Sequence, residues 1–253
     1  MSLLVLVCIN MMDSIMGAIV GPTLIFYVTE LGGGKIEYGV MNSIASVGSL
    51  LMISVYGTWV DTNGNKFVVP YMTSFAGGIV GNLIYFLAIL LPKGPIALYT
   101  LIFSRLIVGM SSAGRNLSYI WVASAIPRDN QRTIFTFLTM TKIGGMIVGP
   151  LSNLLVSEID TEFTVFGLRI PVNPNNSIGL MMVVGEIILV IITLLFFKDP
   201  PEKKQKEKNT SVGAGAGVGA DVETTTKSEA KGFWYAIGHF NIFFPVFTGF
   251  CVF

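Results

Sequence analysis

The sequence predicts an all-α, polytopic membrane helix bundle, and three observations carry that reading. Apolar residues make up 52% of the 253 residues and charged residues 12%, about half the charged share usual in soluble domains. The apolar residues gather into runs of roughly 20, the length that crosses about 30 Å of hydrocarbon, at 3–29, 38–60, 67–91, 96–124, 133–157, 178–197 and 233–253. The remaining charge is segregated into short turns and one polar stretch. Helices are the expected spanning structure, because lipid offers no partner for free backbone groups.

The first run is read as a spanning helix and not as a cleaved leader, since it lacks a basic start and carries Asn10 and Asp13 near its centre. Asn10, Asp13, Ser14, Gly17 and Gly21 recur at helical spacing and form one small, polar stripe. Such a stripe faces water or a closely packed neighbour, not lipid. Asp13 lies about ten residues in, near the midplane at 1.5 Å per residue. The second run contributes Asn42 and Ser46 and ends in the polar turn Gly57-Thr-Trp-Val-Asp61-Thr-Asn-Gly64-Asn65-Lys66.

The fourth run holds Arg105-Leu-Ile-Val-Gly109, with Ser112 and Asn116 continuing the Arg105 face. Arg115 is expected about one turn from the inner surface, where its apolar stem lets the head reach water. In the fifth run, Gly145-x3-Gly149-Pro150 follows Lys142 and Gly144. Small residues four apart permit close helix contact, and Pro150 removes one backbone bond and offers a hinge. The sixth run buries Glu186, roughly 12 Å from its outer end at the helical rise.

Asp13, Arg105, Arg115, Lys142 and Glu186 are therefore five charges inside spans. Each is disfavoured at a helix centre by at least about 2.5–3.5 kcal/mol, so each is a candidate site residue. Lys142 and Glu186, at similar depth on adjacent helices, are expected to cancel as a structural ion pair.

Lys and Arg set the orientation. With the N-terminus inside, Lys66, Arg128, Arg132, Lys198 and all of the later lysines fall on inner segments. Lys35, Lys93 and Arg169 fall outside. Arg128 and Arg132 then sit where phospholipid headgroups would be anchored. Segment 158–177 becomes a polar outer loop, in which Asn175-Asn-Ser177 lies too near the next helix to accept a glycan. Residues 198–232, a Lys/Glu block followed by Gly213-Ala-Gly-Ala-Gly-Val-Gly-Ala220, cannot bury enough apolar surface to fold and read as a flexible linker. The seventh run places Trp234 and Tyr235 as an interfacial anchor and includes His239.

Several functions are excluded or disfavoured. A net charge of +1 gives no field for nucleic acid. Cys8 and Cys251 lie in apolar runs at opposite ends, and with one histidine in the chain there is no grouping for a metal, a disulfide or a triad. No cofactor is expected, and the chain does not read as an enzyme.

The turn Gly57 to Lys66 resembles the loop signature of the major facilitator superfamily, Gly-x3-Asp-x2-Gly-basic-basic, with Asn65 in place of the first basic residue. Arg105-x3-Gly109 resembles that superfamily's helix-four signature, and Gly145-x3-Gly149-Pro150 its helix-five antiporter signature. Asp13 and Pro22 reproduce a spacing of its drug–proton antiporters. Residues 163–171 look like the lysosomal ceroid-lipofuscinosis branch, as does the stretch from Arg105 to Pro150, which would put the chain in a lysosomal, vacuolar or other endomembrane.

The resemblance implies the six-helix N-terminal half of a carrier over 1–197, built as two inverted three-helix repeats. Linker 198–232 and an incomplete seventh helix at 233–253 follow, the partner being a missing C-terminal half or a second half-size chain. It further implies a small-molecule or ion solute, alternating access, and surrounding membrane lipid. The site would be built from helices one, two, four and five, which brings Asp13 to Arg105 for coupling or substrate contact, with Asn10, Asn42, Ser46, Asn116 and Lys142 contributing. Gly57, Asp61, Gly64 and Lys66 would form the gate, and Gly109, Gly145, Gly149 and Pro150 the packing and hinge positions. An anion channel using the intramembrane cations, or a non-transporting adaptor or receptor working through the linker, are the other classes this sequence allows.

Overall fold

The computed structural model describes residues 2–156, 161–165 and 168–200. The linker beyond residue 200, the seventh run and its Trp234, Tyr235, His239 and Cys251 lie outside the described residues, as does Asn209. Helices α1 (Ser2–Glu30), α2 (Lys35–Thr62), α3 (Val68–Leu87), α4 (Pro95–Arg115), α5 (Leu117–Ala125), α6 (Arg128–Val156) and α7 (Pro174–Phe196) follow in order, with a hairpin of β1 (Thr161–Val165) and β2 (Leu168–Val172) before α7. Six spans are long and apolar enough to cross a membrane: α1, α2, α3, the α4–α5 unit, α6 and α7. The fold is therefore a membrane helix bundle.

Two expectations change. Run 96–124 is not one helix, because it breaks at Asn116, whose N–H donates to the Ala113 carbonyl at 3.2 Å in a tighter turn before α5 begins. Segment 158–177 is not wholly loop, because β1 and β2 pair antiparallel with Phe163 opposite Ile170.

Local chemistry sets the helix ends. Pro95 opens α4 behind Gly94, whose φ of 134° suits only glycine. At α7, Asn173 N–H donates to Asn176 Oδ1 at 2.8 Å. The start of α3 is capped from far away in sequence: Asp199 Oδ1 accepts from Phe67 N–H at 2.7 Å and Val68 N–H at 3.3 Å. The same end of the bundle joins Lys198 N–H to Ser2 Oγ at 3.0 Å. At the opposite, hairpin-bearing end, Glu30 accepts from the Asn173 and Asn175 amides at 3.0 and 2.8 Å. The Asn175 amide is thus already engaged within the first turn of α7.

Packing follows the small residues. α2 lies along α4, α1 along α6, and α3 against both α4 and α7. A Cβ on Gly145 would lie 2.7 Å from the Met11 carbonyl, and one on Gly149 would lie 2.5 Å from Ala18 Cβ. Gly109 abuts the Ala45 backbone in the same manner, while Gly48 faces Leu106 O at 2.9 Å. α6 continues through Pro150 to Val156. The core is dominated by fully buried Tyr27, Tyr71, Tyr85, Phe67 and Phe75. α2 and α6 are the least covered spans, with 11% and 17% of their apolar windows buried against 39–44% for the others.

Candidate functional site

Four of the five span charges converge. Arg115, buried at the last turn of α4, lies with its Nε 2.6 Å from Asp13 Oδ1 of α1. Its Nη1 donates to Glu186 Oε1 of α7. Lys142 of α6 brings its Nζ within 3.9 Å of the other Asp13 oxygen and donates to Asn116 Oδ1 at 3.3 Å. The same ammonium lies 5.3 Å from the centroid of the Tyr119 ring. Two carboxylates and two cations balance, so the cluster is neutral. Glu186 fits because Gly78 of α3 leaves room for it; a Cβ there would lie 2.9 Å from Glu186 Cδ.

Sequence reasoning expected other partners: Asp13 with Arg105, Lys142 with Glu186, and Arg115 reaching for the surface. Helix length is the physical reason for the difference. α1 extends to Glu30, so Asp13 lies about 26 Å from that end, whereas Arg105 lies about 15 Å from the same side of the bundle on α4. The two are too far apart in depth to meet. The α4–α5 unit runs on to Ala125, which puts Arg115 about 15 Å inside, level with Glu186, itself about 15 Å from Phe196. Arg115 was the residue whose role the sequence misjudged. The available signal was that the fourth run, 96–124, continues for nine residues past it.

Arg105 stands apart. Its Nε is buried with no hydrogen-bond partner, and no carboxylate lies within 4 Å of its guanidinium among the described residues. Its electrostatic neighbours are the phenols of Tyr85 on α3 and Tyr38 on α2.

The remaining predicted residues take local positions. Asn10 is buried and donates to Leu6 O at 2.7 Å. Ser46 is exposed and donates to the Asn42 carbonyl at 3.1 Å, a contact internal to α2. Ser112 donates to Gly109 O at 2.7 Å. In the turn after α2, Gly64 and Asn65 take positive φ of 67° and 61°, the left-handed conformation that glycine and asparagine tolerate. Gly57 is half-buried, and Asp61 and Lys66 are exposed. No group of three or more His, Cys, Asp or Glu that could hold a metal occurs among the described residues.

No curated protein matches the chain, and the likeness of residues 163–171 and of the stretch from Arg105 to Pro150 to the ceroid-lipofuscinosis branch is not supported. The description of the Major Facilitator Superfamily matches residues 3–253. That match covers nearly the whole sequence, and its members are membrane transporters of small solutes, not enzymes. Six apolar spans, the tight α2–α3 turn and the glycine-mediated α1–α6 contact suit that assignment. The chain belongs to the Major Facilitator Superfamily.

Proposed function

We propose that the chain is the six-helix half of a secondary active carrier, and that Asp13 is its proton-coupling group. The observation that carries this reading is the sharing of one carboxylate between two cations on different helices, Arg115 at 2.6 Å and Lys142 at 3.9 Å. Protonating Asp13 removes its attraction for both. Arg115 keeps Glu186 as a counterion, while the Lys142–Asp13 attraction, which links α6 to α1, is lost. The α1–α6 contact is therefore weakened. Lys142 lies about one turn before Gly145 and about two before Gly149, the residues that seat α6 on α1, so a change of charge reaches the helix interface directly.

The solute path then runs between this half and a second six-helix half, with rocking of the halves exposing it to either side. The sparse coverage of α2 and α6 supports those helices as the facing surface. Asp61 and Lys66, exposed at the signature turn, would engage the other half when the path closes.

The test uses the full-length protein in liposomes holding a trapped pH-sensitive dye, challenged with a panel of small organic anions, amines and sugars. A solute that drives proton movement through the wild type is expected to drive none through Asp13→Asn, while the variant still inserts and elutes as a folded species. Unchanged transport and unchanged pH dependence in Asp13→Asn would remove the coupling role.

A further inference from the structure

We infer that Arg105 is the recognition group for an oxyanion, so that the carried solute bears a carboxylate or a phosphate. This rests on the carrier reading above and names the substrate class of the same solute path. Charge balance comes first. The four clustered charges cancel one another, which leaves Arg105 as a cation in the spans without a counterion among the described residues. A lone cation at such depth is disfavoured by at least about 2.5–3.5 kcal/mol, and a bound anion is what would offset it.

The surroundings fit that role. A helical side chain points back toward its own N-terminus, so Arg105 reaches toward the hairpin-bearing end, where the Tyr38 and Tyr85 phenols are its electrostatic neighbours. Tyr38 Oη donates to Gly21 O and Tyr85 Oη to Asn175 O, each at 3.4 Å. Both bonds are longer than a well-made hydroxyl bond, so neither hydroxyl is held tightly by its present acceptor. There is also room. A Cβ on Gly17 or Gly21 of α1 would meet nothing within 4 Å, leaving space on the glycine side of α1 between Asp13 and the carbonyl that Tyr38 contacts.

The chemistry is that of a guanidinium fork, which suits a planar carboxylate or a phosphate oxygen pair. Arg105 and Arg115 are about 15 Å apart along α4. Recognition at Arg105 and charge exchange at Asp13 are thus two stations on one path, and each can be disabled separately.

The experiment measures equilibrium binding of succinate and of glucose 6-phosphate to purified full-length protein in detergent at constant ionic strength, with glucose and tetraethylammonium as uncharged and cationic probes. At least one of the two oxyanions is expected to bind, and the one that does identifies carboxylate or phosphate. Arg105→Gln should weaken it about ten- to a hundred-fold, the worth of charge-assisted hydrogen bonds. Arg105→Lys, which keeps the charge but loses the fork, should fall between, and Lys35→Gln, a surface cation near the same end, should match the wild type. Size-exclusion profiles of the Arg105 variants separate loss of binding from loss of folding. The proposal is overturned if neither oxyanion binds, if only glucose or tetraethylammonium does, or if folded Arg105→Gln binds as the wild type does. Oxyanion binding without flux in liposomes would refute the carrier reading and leave the site standing. Flux of a neutral or cationic solute that Arg105→Gln does not alter would do the reverse.

Discussion

Replacing Arg115 by methionine tests the charge cluster most directly, because Arg115 touches both carboxylates. Glu186 would be left with a fully buried side chain, and Asp13 with Lys142 at 3.9 Å. Breaking a buried pair by removing one member costs about 3–5 kcal/mol. For a chain of this size each kcal/mol moves Tm by about 2–4 °C, so the expected drop is on the order of 10 °C. Thermal unfolding in detergent, followed by loss of the monodisperse size-exclusion peak, measures it. The ranking of second-site changes is the sharper readout. Arg115→Met with Glu186→Leu exchanges a buried ion pair for apolar side chains and should recover most of the loss. Arg115→Met with Asp13→Asn should recover less, because the Asp13 side chain is 21% exposed and keeps a cation nearby, whereas that of Glu186 is 0% exposed. Wild-type stability in the single variant, or equal recovery in the two doubles, would refute the reasoning.

Two further outcomes follow from packing and capping. Gly145→Leu should abolish the folded, monodisperse species, since its side chain starts 2.7 Å from the Met11 carbonyl, whereas Gly144→Ala, with nothing within 4 Å, should express and elute as the wild type does. Asp199→Ala should lower Tm by a few degrees, the effect of losing a helix cap worth about 1 kcal/mol; an unchanged Tm would mean that water satisfies the first N–H groups of α3 equally well.

The bundle was readable from the sequence because lipid removes most of the freedom a soluble chain has. A segment that must satisfy all of its own backbone groups over about 30 Å can only be a long apolar helix, so α1, α2, α3, α6 and α7 follow from run length. The turn after α2 was equally legible: Gly64 and Asn65 are the residue types that tolerate the positive φ the chain adopts there. The five intramembrane charges could be singled out because hydrocarbon penalises each of them. The break at Asn116 was not legible, since glycine such as Gly114 and asparagine also occur within continuous membrane helices.

What the sequence could not give was the pairing. Whether Asp13 meets Arg105 or Arg115 depends on how far α1 and the α4–α5 unit extend and how they are offset. A span boundary misplaced by a few residues moves a side chain by several ångströms along the membrane normal. The contacts between Gly145 and Met11 and between Glu186 and Gly78 likewise fix which helix faces turn together, a choice that one-dimensional spacing leaves open. Composition and hydropathy determined that charges are buried. Only the packed helices decided which of them cancel and which one, Arg105, is left over, because attraction between charges depends on their separation in space and not along the chain.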